Sequence, residues 1–254
     1  MNPFSLQGKR ALVTGGSRGI GLGIARAMAE AGADIVLVSR PGKELEAAAA
    51  ELRGSGRTVD AAGLDLHDIG GIAHWFEETA ARCGRPGILV NAAGTTRRAP
   101  AEDLSLADWE EVMTVNLTAV FALCQAFARQ CIAAGAAGKI VNIASLMTST
   151  ARPTTAAYTA SKGGVGQLTK ALAVDWAGKG IHVNAIAPGY VATKLTETLK
   201  SDPDFDAWVK QRTPLGRWGT PEDIALPAVF LASRASDFMT GQVVYVDGGW
   251  LATF

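Results

Sequence analysis

Residues 14–21 read Thr14-Gly15-Gly16-Ser17-Arg18-Gly19-Ile20-Gly21, and the fold turns on how this stretch is read. Before it, residues 10–14 form a short apolar run; after it, residues 20–31 carry a helical pattern closed by Gly32. The glycines at 15, 19 and 21 allow a tight turn and let a backbone approach a pyrophosphate closely. The helix that follows offers free N–H groups and the positive end of its dipole to an anion. Strand, glycine-rich turn and helix in that order are the context a dinucleotide site needs.

The same alternation continues along the 254 residues. Strand-like runs fall at 34–39, 58–64, 87–91, 139–144, 181–186 and 242–246, and helical patterns at 43–53, 69–83, 106–134, 156–178 and 221–232. The 106–134 stretch is long enough for one or two helices. Strands separated by helices imply right-handed crossovers and a parallel sheet covered on both faces. The expectation is an α/β chain: one doubly wound parallel sheet of about seven strands, in a single domain spanning 1–254. Residues 190–217 are more polar and carry two prolines, and are expected to form a small helical lid over the substrate.

Composition narrows the function classes. Twenty-four basic residues balance twenty-four acidic ones, which argues against a nucleic-acid footprint or an electrostatic membrane anchor. No uninterrupted apolar run approaches the ~20 residues of a membrane span, and residues 1–6 show no signal-peptide pattern. Cys83, Cys124 and Cys131 are scattered, without metal-ligand spacing. They read as reduced thiols of a cytoplasmic protein with no metal site.

The chemistry concentrates further along. Tyr158-Thr-Ala-Ser-Lys162 places a phenol and an ammonium four residues apart on one helix face. A free phenol has a pKa of about 10, and a neighbouring cation is expected to lower it, making an acid/base couple. Ser145 follows the 139–144 strand, at the carboxyl end where ligands bind in such sheets. Its hydroxyl could hold a substrate oxygen. Asn116 sits inside a helical pattern, an unfavourable place for asparagine. At the end of the second strand stand Ser39 and Arg40, with no acid to hold a ribose 2′-hydroxyl. Arg40 and Arg18 instead suit a 2′-phosphate, so NADP(H) is preferred and NAD(H) remains possible.

With the pieces Thr14-Gly-x-x-x-Gly-x-Gly21, Asn91-Ala-Ala-Gly94, Asn116, Ser145, Tyr158-x-x-x-Lys162, Pro188-Gly189 and Asp247-Gly248-Gly249 in this order, the chain resembles the short-chain dehydrogenase/reductase family from about residue 8 to 249. The resemblance implies a Rossmann fold and a catalytic tetrad at Asn116, Ser145, Tyr158 and Lys162. It implies that Lys162 also holds the nicotinamide ribose, and that Asn116 orders a water in a proton relay. The implied cofactor contacts are Gly15, Ser17, Arg18, Ile20, Gly21, Ser39, Arg40, Asp65, Leu66, Asn91, Gly94, Tyr158, Lys162, Pro188, Gly189, Val191 and Thr193, with Pro188 and Val191 closer to packing. The last strand, the 247–251 tail and the 156–178 helix resemble surfaces that build homotetramers.

Within the family, the segments 202–208, 212–219 and 244–249 resemble gluconate 5-dehydrogenases (5-keto-D-gluconate 5-reductases) and, nearly as well, 2-deoxy-D-gluconate 3-dehydrogenases. A small keto or hydroxy sugar acid is therefore the expected substrate, held at Ser145 and Tyr158. Its carboxylate needs a cation: Arg152 first, with Arg97 and Lys194 as further candidates. The lid aromatics Phe205, Trp208 and Trp218 are expected to pack the lid down rather than line the pocket. A 3-oxoacyl carrier-protein reductase, with Arg98 and Arg129 as its basic surface, is the rival enzyme. A dinucleotide-binding sensor or scaffold without catalysis is the rival from another class.

Overall fold

The computed structural model describes residues 2–253. Seven strands form one all-parallel sheet: β1 (Arg10–Thr14), β2 (Asp34–Ser39), β3 (Val59–Gly63), β4 (Ile88–Asn91), β5 (Gly138–Ile143), β6 (Ile181–Pro188) and β7 (Val243–Val246). Their order is β3-β2-β1-β4-β5-β6-β7, so the chain starts at the centre, winds outward one way, then returns to wind the other. The reversal falls between β1 and β4, which pair through Thr14 and Asn91. The central strands are buried on both faces, hence their near-continuous valine, isoleucine and leucine.

Helices α1 (Gly19–Glu30) and α2 (Lys43–Arg53) cover one face together with α9 (Pro221–Ala232), while α3 (Ile72–Cys83), α4 (Leu106–Met113), α5 (Ala119–Ala133) and α6 (Ala156–Trp176) cover the other. Local chemistry marks their ends. Thr220 and Asp223 form a reciprocal capping box and Pro221 occupies the first turn of α9. In the 190–217 segment, α7 (Glu197–Lys200) is a single turn. The helix after it, α8 (Pro203–Arg212), is capped by the Asp202 carboxylate, which accepts from the Asp204 and Phe205 amides.

The 106–134 stretch resolves into α4 and α5 joined by a π-helical turn, Thr114–Thr118, centred on Asn116. By length and mean hydropathy the combined Leu106–Ala133 rod is long and apolar enough to cross a membrane, and 56 % of its apolar window is buried inside the protein. It serves as a core helix of the sheet's second face. The third strand stops at Gly63, two residues short of Asp65.

The turn after β1 is held from three sides. Gly15 takes φ +64°, and a Cβ there would stand 2.8 Å from the Ala93 amide. A Cβ at Gly21 would collide with the Gly15 carbonyl oxygen. The Gly16 amide donates to Val38 at 3.1 Å. Gly21→Ala should therefore cost about 1–3 kcal/mol by overpacking. A urea titration showing a lowered midpoint at unchanged slope would confirm it, and an unshifted midpoint would contradict it.

Candidate active site

The carboxyl ends of the strands converge on one cleft. Past β1 lies the glycine-rich turn, past β2 Ser39 and Arg40, past β4 Asn91–Gly94, past β5 Ser145, and past β6 Pro188–Tyr190. No side chain caps the start of α1, where Arg18 stands in the N-cap position. That helix end keeps free N–H donors for an anion. Ser17 and Ile20 belong to the same turn, and the Thr193 methyl lies 3.5 Å from where a Cβ on Gly19 would be, so the segment after β6 closes over it.

Arg18 is paired with Glu44, at 3.0 Å, and Lys194 reaches the same carboxylate at 3.6 Å. Glu44, on α2, is an acid at the nucleotide end that reading the end of β2 alone misses. Arg40 is exposed and forms no ion pair among the described residues. The Asp65 carboxylate accepts from the His67 amide at 3.0 Å and meets the His67 ring at 2.7 Å. The His67 contacts first, and the more distant charge of Arg40, hold its carboxyl below the usual range. Leu66 packs on the second core cluster.

The Asn91 side chain turns inward: its amide donates to Asn142 Oδ1 at 2.9 Å and to Cys124 Sγ at 3.3 Å, and its own Oδ1 is buried without a partner. With the side chain engaged in this way, the Asn91 backbone is the part that faces the cleft for the expected contact. Val191 is buried in the core and bridges to Gly219, whereas Pro188 and Gly189 line the cleft.

The four tetrad positions come together. Ser145 caps a short 3₁₀ turn, Leu146–Thr148, its hydroxyl accepting from the Met147 amide at 3.2 Å. Asn116, fully buried, accepts from the Thr95 amide at 2.8 Å and donates to the Thr95 carbonyl at 2.9 Å and to Ser161 Oγ at 3.1 Å. Ser161 Oγ in turn donates to the Tyr158 carbonyl at 2.8 Å. Lys162 is buried, its Nζ donating to the Ile143 carbonyl at 2.6 Å and standing 5.8 Å from the Tyr158 ring centroid. Gly94 is beside it: a Cβ there would be 3.9 Å from Nζ.

The expected lowering of the Tyr158 pKa by Lys162 is corrected. Burial raises the phenol above its usual value, opposed by the Ser145 hydroxyl and by the charge of Arg98. The Lys162 ammonium, which donates to the Ile143 carbonyl, is not among the groups that shift it. Burial lowers the lysine itself to about 8.

A pocket of ≈560 Å³, counting its open mouth, adjoins Ser145 and Tyr158. Arg98 and Arg152 line it with Tyr190, Leu195 and Leu199. Among the described residues neither guanidinium has a carboxylate partner; Arg152 lies over the Phe205 ring at 4.9 Å. Dehydration first, and the charge of Arg152 second, hold Arg98 below the ordinary guanidinium range. From sequence alone Arg98 stands only as basic-surface material for the rival carrier-protein reductase; its position a few residues past the end of β4 was the available signal for the pocket. Arg97 drops out, since Glu111 holds it by two 2.8 Å bonds and Asp108 lies at 3.3 Å. Lys194 lies toward Glu44 and is not among the residues that line the pocket. Phe205, Trp208 and Trp218 cluster around Tyr190 at 5.6–6.0 Å with Trp250 behind, and they pack the segment down rather than line the pocket.

A glycine-rich turn at the start of α1, set beside a serine, a tyrosine and a buried lysine in one cleft, defines a class of dinucleotide-dependent oxidoreductases. The chain belongs to the short-chain dehydrogenase/reductase family. Residues 15–251 match a family model described as Enoyl-(Acyl carrier protein) reductase. The chain is 47 % identical to the gluconate 5-dehydrogenase of Gluconobacter oxydans (strain 621H) over 246 residues, 97 % of this chain and 96 % of that one. It is 46 % identical to the 2-dehydro-3-deoxy-D-gluconate 5-dehydrogenase of Dickeya dadantii (strain 3937) over 254 residues, 99 % of each. Among solved structures, the gluconate 5-dehydrogenase from Burkholderia cenocepacia J2315 in complex with NADP and tartrate superposes with TM-score 0.96 at 45 % identity, covering 100 % of this chain and 99 % of that one.

The buried Lys162 ammonium should leave a pH signature on stability. Below pH 8 both folded and unfolded chains carry the proton, and its burial cost is fully present. Between about 8 and the ordinary 10.5 the unfolded chain binds more protons, so wild-type stability rises with pH. Relative to wild type, Lys162→Met should be more stable below pH 8 than above 10.5, by on the order of a few kcal/mol. A gap independent of pH in denaturant titrations from 7 to 10.5 would contradict the burial argument.

Proposed function

We propose that the protein reversibly reduces a ketone of a sugar acid with NADP(H), the substrate being 5-keto-D-gluconate or the related 2-dehydro-3-deoxy-D-gluconate skeleton. The observation that carries this reading is one pocket whose walls hold both the Ser145–Tyr158 pair and two guanidiniums without carboxylate partners. Such a pocket selects a small anion and presents it to an acid.

The cofactor, when bound, supplies or accepts the hydride. The glycine-rich turn and the uncapped α1 terminus suit its pyrophosphate, and Arg40 and Arg18 suit a 2′-phosphate, Arg18 by exchanging Glu44 for it. The NADP in the Burkholderia relative supports the same choice. Ser145 orients the carbonyl oxygen, and Tyr158 donates the proton that the forming alkoxide needs. Its raised pKa keeps the phenol protonated at neutral pH, so it stands ready as an acid for reduction. Lys162 tethers the cofactor's ribose from its place beside Gly94, and Asn116 ties the Thr95 loop to α6. Arg98 and Arg152 take the carboxylate, as a charge-assisted contact does best.

Arg98 borders this pocket instead of an outer surface, which removes half of the basic material that a carrier-protein reductase would need. The three cysteines are free and buried, in keeping with a cytoplasmic protein. Exposed Leu106 and Val174 on the α4–α6 side, with Leu226 and Phe238 on the β7–α9 side, suit two interfaces of a homotetramer.

Three measurements test the reading. In an absorbance assay with NADPH, Arg98→Ala and Arg152→Ala should each raise KM for the keto acid by about tenfold or more, from loss of ~1.5–3 kcal/mol per charged hydrogen bond. An unchanged KM for both would remove the anion site. Tyr158→Phe should abolish turnover, and retained turnover would sink the proton-donor role. Reduction should hold its rate from pH 6 to 8 while oxidation climbs with pH as the phenol deprotonates. An oxidative rate that is flat or falling over that range would contradict a raised phenol pKa.

A further inference from the structure

We propose that Thr148 is a positioning residue that locks the Ser145 loop to the helix carrying Tyr158 and Lys162. The inference rests on the reading of Ser145 and Tyr158 as the pair that faces the reacting oxygen. These two residues come from different elements: Ser145 follows β5, and Tyr158 is the third residue of α6. Nothing in the chain's connectivity sets their separation, because ten residues, from the short 3₁₀ turn at Leu146 to Thr155, lie between Ser145 and the start of α6.

The Thr148 hydroxyl bridges that gap. It accepts from the Ser145 backbone amide at 3.3 Å and donates to the Lys162 carbonyl at 3.1 Å. One oxygen thereby joins the backbone of one reactive residue to the backbone of another. The methyl of the same side chain is fixed as well: a Cβ built on Gly166 would stand 2.5 Å from Thr148 Cγ2. With the hydroxyl engaged on one side and the methyl seated against Gly166 on the other, the side chain has a single rotamer that satisfies both. Glycine inside a helix costs stability relative to alanine, and its place at 166 in α6 is what leaves room for this methyl.

The loop has other anchors. The Thr150 hydroxyl donates to the Leu146 carbonyl at 3.0 Å, and Ser149 Oγ meets the Tyr245 hydroxyl. Removing the Thr148 hydroxyl should thus leave the loop folded but free to shift Ser145 against Tyr158. Displacement of a reacting group by about 1 Å can cost up to ~10²-fold in rate.

The experiment uses four variants: Thr148→Val, Thr148→Ser, Gly166→Ala, and the double Thr148→Ser/Gly166→Ala. Valine keeps the shape and loses the hydroxyl. Alanine at 166 forces the Thr148 side chain to rotate and carries the hydroxyl away. Serine keeps the hydroxyl and removes the obstructing methyl. Thr148→Val and Gly166→Ala should each lower kcat by about tenfold with KM for NADPH unchanged. Thr148→Ser and the double variant should stay within about threefold of wild type. Hydrogen exchange at the Ser145 amide, read without substrate, should speed up in the first two and return to normal in the last two.

A Gly166→Ala defect that Thr148→Ser fails to relieve would overturn the lock. So would unchanged Ser145 exchange in Thr148→Val. Faster exchange with undiminished kcat would overturn the positioning role while leaving the contact. Should the wild type turn over no keto acid at all, the functional reading fails, and the exchange measurement still decides the lock.

Discussion

A single ammonium, sealed at 4 % exposure with one backbone carbonyl as its hydrogen-bond partner, is the constraint around which the rest of this cleft is arranged. Burying a charge without a counter-ion is costly, and among the described residues no carboxylate forms an ion pair with Lys162. The chain accommodates it by aiming the Ile143 carbonyl at it. The result is an amine whose pKa burial lowers to about 8, so that carrying its proton costs the folded state stability. Such a site is retained for what it binds, a common form of the trade between stability and function.

Short polar side chains carry the geometry outward from that point. Asn116 links the loop after β4 to α6 through Thr95 and Ser161, and the same asparagine sits where the helix widens into a π turn, a device frequent at functional sites. Beneath the cleft, Asn91, Asn142 and Thr169 form a second chain of amides and a hydroxyl across β4, β5 and α6. Its amide donors are paired, while the Asn91 Oδ1 is left buried without a partner. The contacts that hold the reactive residues are thus hydrogen bonds of fixed length, set into an apolar core that supplies the bulk of the stability.

Much of this was legible in the sequence, for reasons that are local. β-Branched runs and glycine turns announce strands and their ends within a few residues, and the Thr220-Pro221-Asp223 cap declares α9 by itself. The tetrad Asn116, Ser145, Tyr158 and Lys162 was readable through the resemblance of the motif order to that of the family, with Ser145 placed besides by the strand it follows. What escaped depended on partners distant in the chain. Arg97 and Arg98 are neighbours with opposite fates, decided by Glu111 and Asp108 on α4, which capture the first and leave the second to the pocket. Glu44 meets Arg18 only because α2 packs beside the start of α1. The direction of the Tyr158 shift is set by burial, which is a property of the assembled fold. The proximity of Lys162, visible in the spacing, says nothing about where its amine points.

An all-parallel sheet gives the molecule two unlike poles. Every strand delivers its last residue to the cleft, and every strand begins at the opposite end. The connections at 31–33, 54–58, 84–87 and 134–137 gather at that far end, together with the Gly180 turn. Of these, 54–58 and 134–137 are largely exposed, whereas Ala33 belongs to the core and Pro86 is buried, so it is the first two that have room for added chain. Length added there is felt mainly as chain entropy, which grows slowly with loop size. The far pole is consequently where this scaffold can be spliced, tagged or permuted, with the reacting groups shielded from the change by the thickness of the sheet.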